Sequence, residues 1–213
     1  MKWLDPANGV GNFPLIVYGM LMKSLKSSIP DDSKRSQHIL QKMLYMVELQ
    51  TDNYEVSRKL FGKEANIFCG SFLSDDNKSI NPDIAKKFGV EKYDIIMGNP
   101  PFNKEKEGTQ GGSRAKNSLW DIFIIESFKI LKEDGFLGFI NPSQWRGLGP
   151  DYHKIWDILS KKQIKYLNIY GESDGKKYFN AGTRFDLYLV KNKNNIEKTI
   201  IIDENNKKIK LSL

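Results

Sequence analysis

The run Tyr93–Met97 is apolar and β-branched, and it stops at Gly98-Asn99-Pro100-Pro101-Phe102. Neither proline can donate to a β-ladder, so a buried strand has to end there. The same pattern recurs upstream. The short run Lys2–Leu4 breaks into DPANGVGNF, Met43–Val47 ends at Glu48 in ELQTD, and Asn66–Cys69 ends in GSFL. Helix-like stretches at Phe13–Leu25 and Tyr54–Leu60 separate the strands. Strand alternating with helix predicts a parallel sheet covered on both faces. Right-handed crossovers then gather the strand ends along one edge, where open sheets of this kind bind ligands.

Further along, Ser118–Leu131 carries apolar residues at helical spacing, with Ser118 placed to cap it. A turn at Asp134-Gly135 leads into the strand Phe136–Ile140, then a helix over Tyr152–Leu159 and strands Ile164–Ile169 and Arg184–Val190. Thr199–Ile202 and Lys208–Leu211 read as a terminal hairpin around Asn205-Asn206. Ser24–Arg35 and the polar stretch holding Asp75, Asp76, Asn77 and Pro82 read as loops. Residues 103–117 hold three glycines and only Ala115 as an apolar residue, which predicts a long functional loop.

With 213 residues and 39% hydrophobic content, the chain has the size of one α/β domain. It contains no run of about 18 apolar residues that would span a membrane, and Met1–Gly9 has no apolar core of a secretory signal. A lone cysteine, Cys69, excludes an internal disulfide and fits a reducing cytoplasm, in a bacterium or a phage-infected cell. That cysteine is expected in the core. His38 and His153 stand too isolated for a metal site. The net charge of +7 suits a nucleic-acid partner, although a lysine-rich genome produces the same balance.

The loop Asp5-Pro6-Ala7-Asn8-Gly9-Val10-Gly11 follows a strand and opens a helix. Its spacing departs from the dinucleotide fingerprint, because Pro14 stands where a third glycine would be. Asp5 would repel a phosphate but suits a ligand with positive charge, such as a sulfonium bearing an amino group. Glu48, ending the next strand, sits where an acid commonly holds a ribose diol. Together they point to a nucleoside cofactor without a pyrophosphate, S-adenosylmethionine.

DPANGVGNF resembles the cofactor motif of the gamma-group adenine-N6 DNA methyltransferases, and IIMGNPPFN resembles their catalytic motif. LYMVELQTDNYEVSRKLF, NIFCGSFL and NSLWDIFIIESFKILKEDGFLGFINPSQW are similar to the segments that accompany them. The similarity runs over roughly residues 3–190 and is nearest to the methyltransferase parts of large restriction-modification polypeptides. It implies a Rossmann-like S-adenosylmethionine-dependent methyltransferase: an α/β fold with a mostly parallel twisted sheet, an antiparallel late strand and helices on both faces. Residues 1–195 would form the catalytic domain, and 196–213 a short hairpin extension. The family's upstream cofactor motif and target-recognition domain are not recognisable, so a fragment or a split enzyme with a companion subunit is expected.

By resemblance, Asp5, Pro6, Ala7, Asn8, Gly9, Gly11, Glu48, Ser71, Phe72 and Asn99 would hold the cofactor. Asn8 replaces the family's cysteine, and Ser71 replaces an aspartate that takes the cofactor adenine's amino group. Asn99, Pro100, Pro101 and Phe102 would form the catalytic motif. An exocyclic amine is a poor nucleophile because its lone pair is delocalised. Acceptance of its N–H bonds by the Asn99 side chain and the Pro100 carbonyl would counter that. Phe102 offers a stacking face for a base flipped out of duplex DNA. A second aromatic face would come from Phe179, with Tyr178 and Phe185 as rivals. Lys104, Lys106, Arg114 and Lys116 would meet DNA phosphates. A protein-glutamine or RNA amino-methyltransferase, and a non-catalytic nucleic-acid-binding subunit, remain alternatives at this level.

Overall fold

A computed structural model describes residues 1–103, 118–147 and 152–212. The chain divides into two compact units, Met1–Gly98 and Asn99–Leu213.

In the first unit, β1 (Trp3–Asp5) lies between β2 (Leu44–Glu48) and β4 (Tyr93–Gly98), and β3 (Asn66–Cys69) flanks β2. All three pairings are parallel, with Leu4 opposite Tyr45 and Ile96. Strand ends therefore share one edge, as the alternation of elements requires. Every residue of β2 is buried, which places cover on both faces. On one face Leu44 and Met46 join Val17 and Leu21 of α1 (Asn12–Ser24), Ile39 of α2 (Asp32–Lys42) and Phe61 of α3 (Thr51–Phe61). On the other, Tyr45 meets Phe88 of α4 (Pro82–Phe88) edge-on at 5.3 Å and Tyr93 at 5.6 Å. The period-2 alternation of a strand produces this split.

In the second unit, β5 (Leu131–Pro142), β7 (Phe185–Asn194) and β6 (Lys162–Tyr170) form an antiparallel run. β8 (Thr199–Ile202) then joins β6 in parallel, and β9 (Lys208–Leu211) closes a hairpin with β8. The C-terminal hairpin thus extends the same sheet. Helices α5 (Trp120–Ile130), α6 (His153–Ser160) and α7 (Glu172–Phe179) complete the unit. A short 3-10 turn over Ser143–Arg146 follows β5. Its Trp145 is buried, stacked near Trp156 at 6.2 Å and edge-on to Tyr188 at 5.9 Å. No helix among the described residues is long and apolar enough to cross a membrane.

Several local expectations need correction. The loop read over Ser24–Arg35 holds the start of α2, capped by Asp31, whose carboxylate accepts from the Lys34 amide at 2.7 Å. Only Arg35 and Ile39 of that helix are buried, too few to mark a helical period in the sequence. The polar stretch around Pro82 likewise holds α4, with Asn81 as its cap, Pro82 in its first turn and Gly89 closing it. Ser118 does not cap α5. Its hydroxyl donates to Asp121 Oδ1 at 2.7 Å, and Leu119 occupies the cap position. β5 runs through Asp134-Gly135 without a turn, although Asp134 adopts a φ of 59°. Cys69 is exposed rather than part of the core.

Candidate active site

The glycine loop leaves β1 and is fastened to the neighbouring strand. Asn8 donates its amide to Val47 O at 2.9 Å. The Gly9 amide donates to Glu48 Oε2 at 2.7 Å, and the Gln50 amide donates to Glu48 Oε1 at 2.8 Å. Glu48, the last residue of β2, therefore organises the loop. Asn8, buried in place of the family's cysteine, donates through Nδ2 to Ser57 Oγ at 2.7 Å. Ser57 in turn donates to Gly9 O at 3.1 Å. This serine of α3 escaped the sequence reading, because a lone Ser in a helix carries no signal until its partner is known. Gly11 has a φ of 93°, and a Cβ there would lie 2.7 Å from the Phe61 ring, so both backbone and space require glycine.

Asp5 ends β1 and is buried. Its Oδ1 accepts from the Ala7 amide at 3.1 Å, and its Oδ2 is a buried oxygen without a hydrogen-bond partner among the described residues. Burial pushes its pKa up from 3.8 to about 7, against the Ala7 hydrogen bond and with help from the nearby charge of Glu48. Such a carboxyl holds a proton unless a cation or a donor compensates its charge. A Cβ at Gly98, the last residue of β4, would stand 2.8 Å from Asp5 Oδ1. The ends of β1 and β4, expected on one edge of the sheet, are therefore in contact. The amine and sulfonium of S-adenosylmethionine are the kind of groups that the orphaned oxygen suits.

Beyond β3, the Gly70 amide donates to Glu48 O at 2.8 Å, tying this turn to the same acid's backbone. Ser71 Oγ accepts from the Leu73 amide at 3.1 Å, which fixes the turn locally. Phe72 is buried. Asn8, Gly9, Gly11 and Glu48 thus form one hydrogen-bonded cluster, Asp5 and Ala7 are bonded to each other at the head of the same loop with Pro6 between them, and Ser71 and Phe72 follow the adjoining strand.

In the second unit, Asn99, Pro100, Pro101 and Phe102 continue directly from β4. Asn99 Oδ1 is buried and has no hydrogen-bond partner among the described residues, while Pro100 is buried and Pro101 exposed. The Leu119 amide donates to Phe102 O at 3.2 Å, and Asn103 bridges Ser118, so the motif is anchored to the start of α5. Phe179, the last residue of α7, meets Phe102 edge-on, with ring centroids 5.5 Å apart at 60°. Phe179 also meets Phe185 at 4.9 Å, and Phe185 stacks on Tyr170 at 4.5 Å. Of the three aromatic candidates, Phe179 is the one whose ring touches Phe102. Phe185 is buried behind it, and Tyr178 points to solvent at 58% exposure. Lys104, Lys106, Arg114 and Lys116 lie outside the described residues.

A cavity of about 470 Å³ opens beside Phe102, walled by Trp120, Tyr152, Pro142, Ser143, Gln144 and Arg184 among others. Trp120, Pro142, Ser143 and Gln144 belong to the family-like stretch NSLWDIFIIESFKILKEDGFLGFINPSQW, to which the sequence assigns no site role, and Tyr152 and Arg184 come from two further segments. The 3-10 turn that carries Ser143 and Gln144 is fixed by Arg146, which grips the buried Asp186 of β7 at 2.8 and 3.2 Å.

Solved structures define the fold. The modification protein of the type I restriction enzyme EcoKI superposes with a TM-score of 0.70 at 15% identity, over 95% of this chain and 44% of that one. A putative class I S-adenosylmethionine-dependent methyltransferase of Listeria monocytogenes gives a TM-score of 0.59 at 14% identity, over 95% of this chain and 58% of that one. The fold is that of a class I S-adenosylmethionine-dependent methyltransferase, α/β with parallel strands followed by antiparallel ones. The family model of the Eco57I restriction-modification methylase matches residues 30–179, and the chain belongs to that family. A protein of Mycoplasma pneumoniae described as an uncharacterized adenine-specific methylase is 25% identical over 240 residues, covering 81% of this chain and 56% of that protein. A putative type II restriction enzyme and methyltransferase of Methanocaldococcus jannaschii is 37% identical over 83 residues, covering 36% of this chain and 7% of that protein. The chain therefore spans about half of the first curated relative and a small part of the second.

Proposed function

We propose that this chain transfers a methyl group from S-adenosylmethionine to the N6 amino group of adenine in DNA. The observation that carries the reading is Asn99 Oδ1, a buried acceptor without a donor among the described residues, in a motif whose next residues are two prolines and an aromatic ring. A buried unsatisfied oxygen costs stability, and such a cost is commonly kept where a ligand repays it.

S-adenosylmethionine supplies an electrophilic methyl group when bound. Asp5, Gly9 and Glu48 are the residues assigned to hold it. Asn99 Oδ1 and the Pro100 carbonyl accept hydrogen bonds from the two amino N–H groups of adenine. That withdraws the nitrogen lone pair from the ring and steadies the positive charge that builds on nitrogen. Prolines on either side of the second carbonyl fix φ, so little reorganisation accompanies the reaction. Phe102 supplies the stacking face. The proton lost from nitrogen passes to water.

DNA is the assigned partner, with Lys104, Lys106, Arg114 and Lys116 assigned to its phosphates. A companion polypeptide is assigned to read the target sequence. Membership of a restriction-modification methylase family and the mycoplasmal relative described as adenine-specific both support these assignments. The test is incubation of the purified chain with radiolabelled S-adenosylmethionine and, separately, duplex DNA, RNA and protein, followed by digestion of the product. N6-methyladenine in DNA is expected. Label confined to RNA or to glutamine side chains overturns the reading.

A further inference from the structure

The buried side of α3 holds two residues, Ser57 and Phe61, one helical turn apart. Phe61 does what such a position ordinarily does and joins the apolar cluster with Val17 and Met46. Ser57 is also buried, at 0% exposure, and a hydroxyl there costs free energy unless it is hydrogen-bonded. The hydrogen bonds of that hydroxyl go to the glycine loop, to Asn8 and to Gly9. Phe61 bounds the same loop sterically, because its ring stands 2.7 Å from where a Gly11 side chain would begin. The inner side of α3 is therefore shaped to the loop.

Gly9 is held from two sides. Its amide donates to Glu48 Oε2 at 2.7 Å. Its carbonyl accepts from Ser57 Oγ at 3.1 Å and from Asn8 Nδ2 at 3.0 Å. Its φ of 57° is one among many open to glycine, so these bonds select it. Asn8 depends on the same hydroxyl. Its Nδ2 donates to Ser57 Oγ at 2.7 Å, while its Oδ1 has no hydrogen-bond partner among the described residues. Removal of the Ser57 hydroxyl would loosen the Gly9 carbonyl and the Asn8 side chain together. A loop already fixed in its ligand-binding form loses little entropy when the ligand arrives.

We propose that Ser57 is a positioning residue for cofactor binding: from beneath the loop, through Gly9 and Asn8, it holds the backbone in the form that accepts S-adenosylmethionine. The assignment rests on the reading of this loop as part of the cofactor site. It makes affinity for the cofactor depend on a helix that follows the next strand and on a side chain that meets no ligand.

The test is calorimetric titration of the full chain with S-adenosylmethionine, at a temperature below the melting transition of every variant. Ser57→Ala is expected to bind about tenfold more weakly, the effect of a lost hydrogen bond whose partners stay unpaired. Asn8→Ala leaves the bond from Ser57 to Gly9 in place and should lose less, about threefold. The double variant should lose less than the product of the two single losses, because both side chains act on one carbonyl and on each other. In Ser57→Ala, hydrogen exchange should quicken at the amides of Gly9 and Gly11 while the amides of α3 keep their wild-type protection. A serine that serves packing alone would lower the melting temperature and quicken exchange along α3 with cofactor affinity unchanged, and that result overturns the proposal. A double variant whose loss equals the product also overturns it. Should Ser57→Ala fail to fold, Ser57→Cys takes its place, since a thiol keeps the volume and weakens both hydrogen bonds; unchanged affinity there is equally fatal. A folded wild-type chain that binds no S-adenosylmethionine refutes the cofactor reading itself, whereas wild-type binding with an unaffected variant refutes only the role of Ser57.

Discussion

Gly9 and Glu48, 39 positions apart, are joined by a 2.7 Å hydrogen bond from amide to carboxylate. The glycine loop and the acid at the end of β2 consequently behave as one element. Glu48→Ala is expected to weaken S-adenosylmethionine binding by about 1–3 kcal/mol, the usual loss for hydrogen bonds to a charged group. Because the loop loses its anchor, the melting temperature of the ligand-free protein should fall as well. Calorimetry and thermal denaturation check the two effects. A lowered affinity with an unchanged melting temperature would assign Glu48 to the ligand alone.

Asp5 predicts a pH dependence. In the unfolded chain it ionises near 3.8, and in the folded protein near 7. Between those values the folded state keeps a proton that the unfolded state releases. This contribution to stability is complete below pH 3.8, declines as pH rises and is lost above about 7. A cationic ligand prefers the ionised carboxylate, so affinity for S-adenosylmethionine should rise from pH 6 to pH 8 with proton release on binding. Titrations in buffers of different ionisation enthalpy measure that release. Asp5→Asn should abolish the pH dependence and stabilise the ligand-free protein at pH 8 while weakening cofactor binding.

Asn99→Ala removes the unpartnered acceptor. Its effect should appear in kcat, with a fall on the order of 10²-fold or more and little change in DNA or cofactor binding, as for loss of one preorganised hydrogen-bonding group. Single-turnover methyl transfer on DNA is the measurement. A wild-type rate in this variant excludes the assigned mechanism.

Arg146→Met leaves Asp186 buried without its guanidinium. The expected cost is on the order of 3 kcal/mol in denaturant unfolding at neutral pH, as for other broken buried ion pairs. Acidification should shrink that cost, because Asp186 can neutralise itself by taking up a proton. Companion substitution with Asp186→Leu should restore part of the loss. A destabilisation that persists at acid pH would point to lost packing under Trp145.

The first unit was largely legible in the sequence because its signals are local. β3 was placed at its observed bounds, and β1, β2 and β4 to within a residue or two, since apolar runs end abruptly at DPANG, ELQTD and GNPPF. α2, α4 and α7 are hard to see because their sequences, DSKRSQHILQK, PDIAKKF and ESDGKKYF, are mostly polar and bury one or two residues each, so capping by Asp31 and Asn81 carries information that hydrophobic period does not. In the candidate site, residues within one motif were found and residues joined by the fold were not. Ser57 reaches Asn8 across 49 positions, and the cavity brings Trp120, Gln144, Tyr152 and Arg184 together from separate segments.

The clearance between Gly98 and Asp5 has a consequence for directed evolution. A methyl group at position 98 would meet Asp5 Oδ1 at 2.8 Å, well inside contact distance. In a library randomised at both positions, larger residues at 98 should survive only in clones that have shortened residue 5. Those clones will have surrendered the carboxylate assigned to the cofactor. Selection for foldability alone would therefore enrich paired changes, and selection for methylation would return the parental pair. The two positions would be inherited together as a single allele although 93 positions separate them.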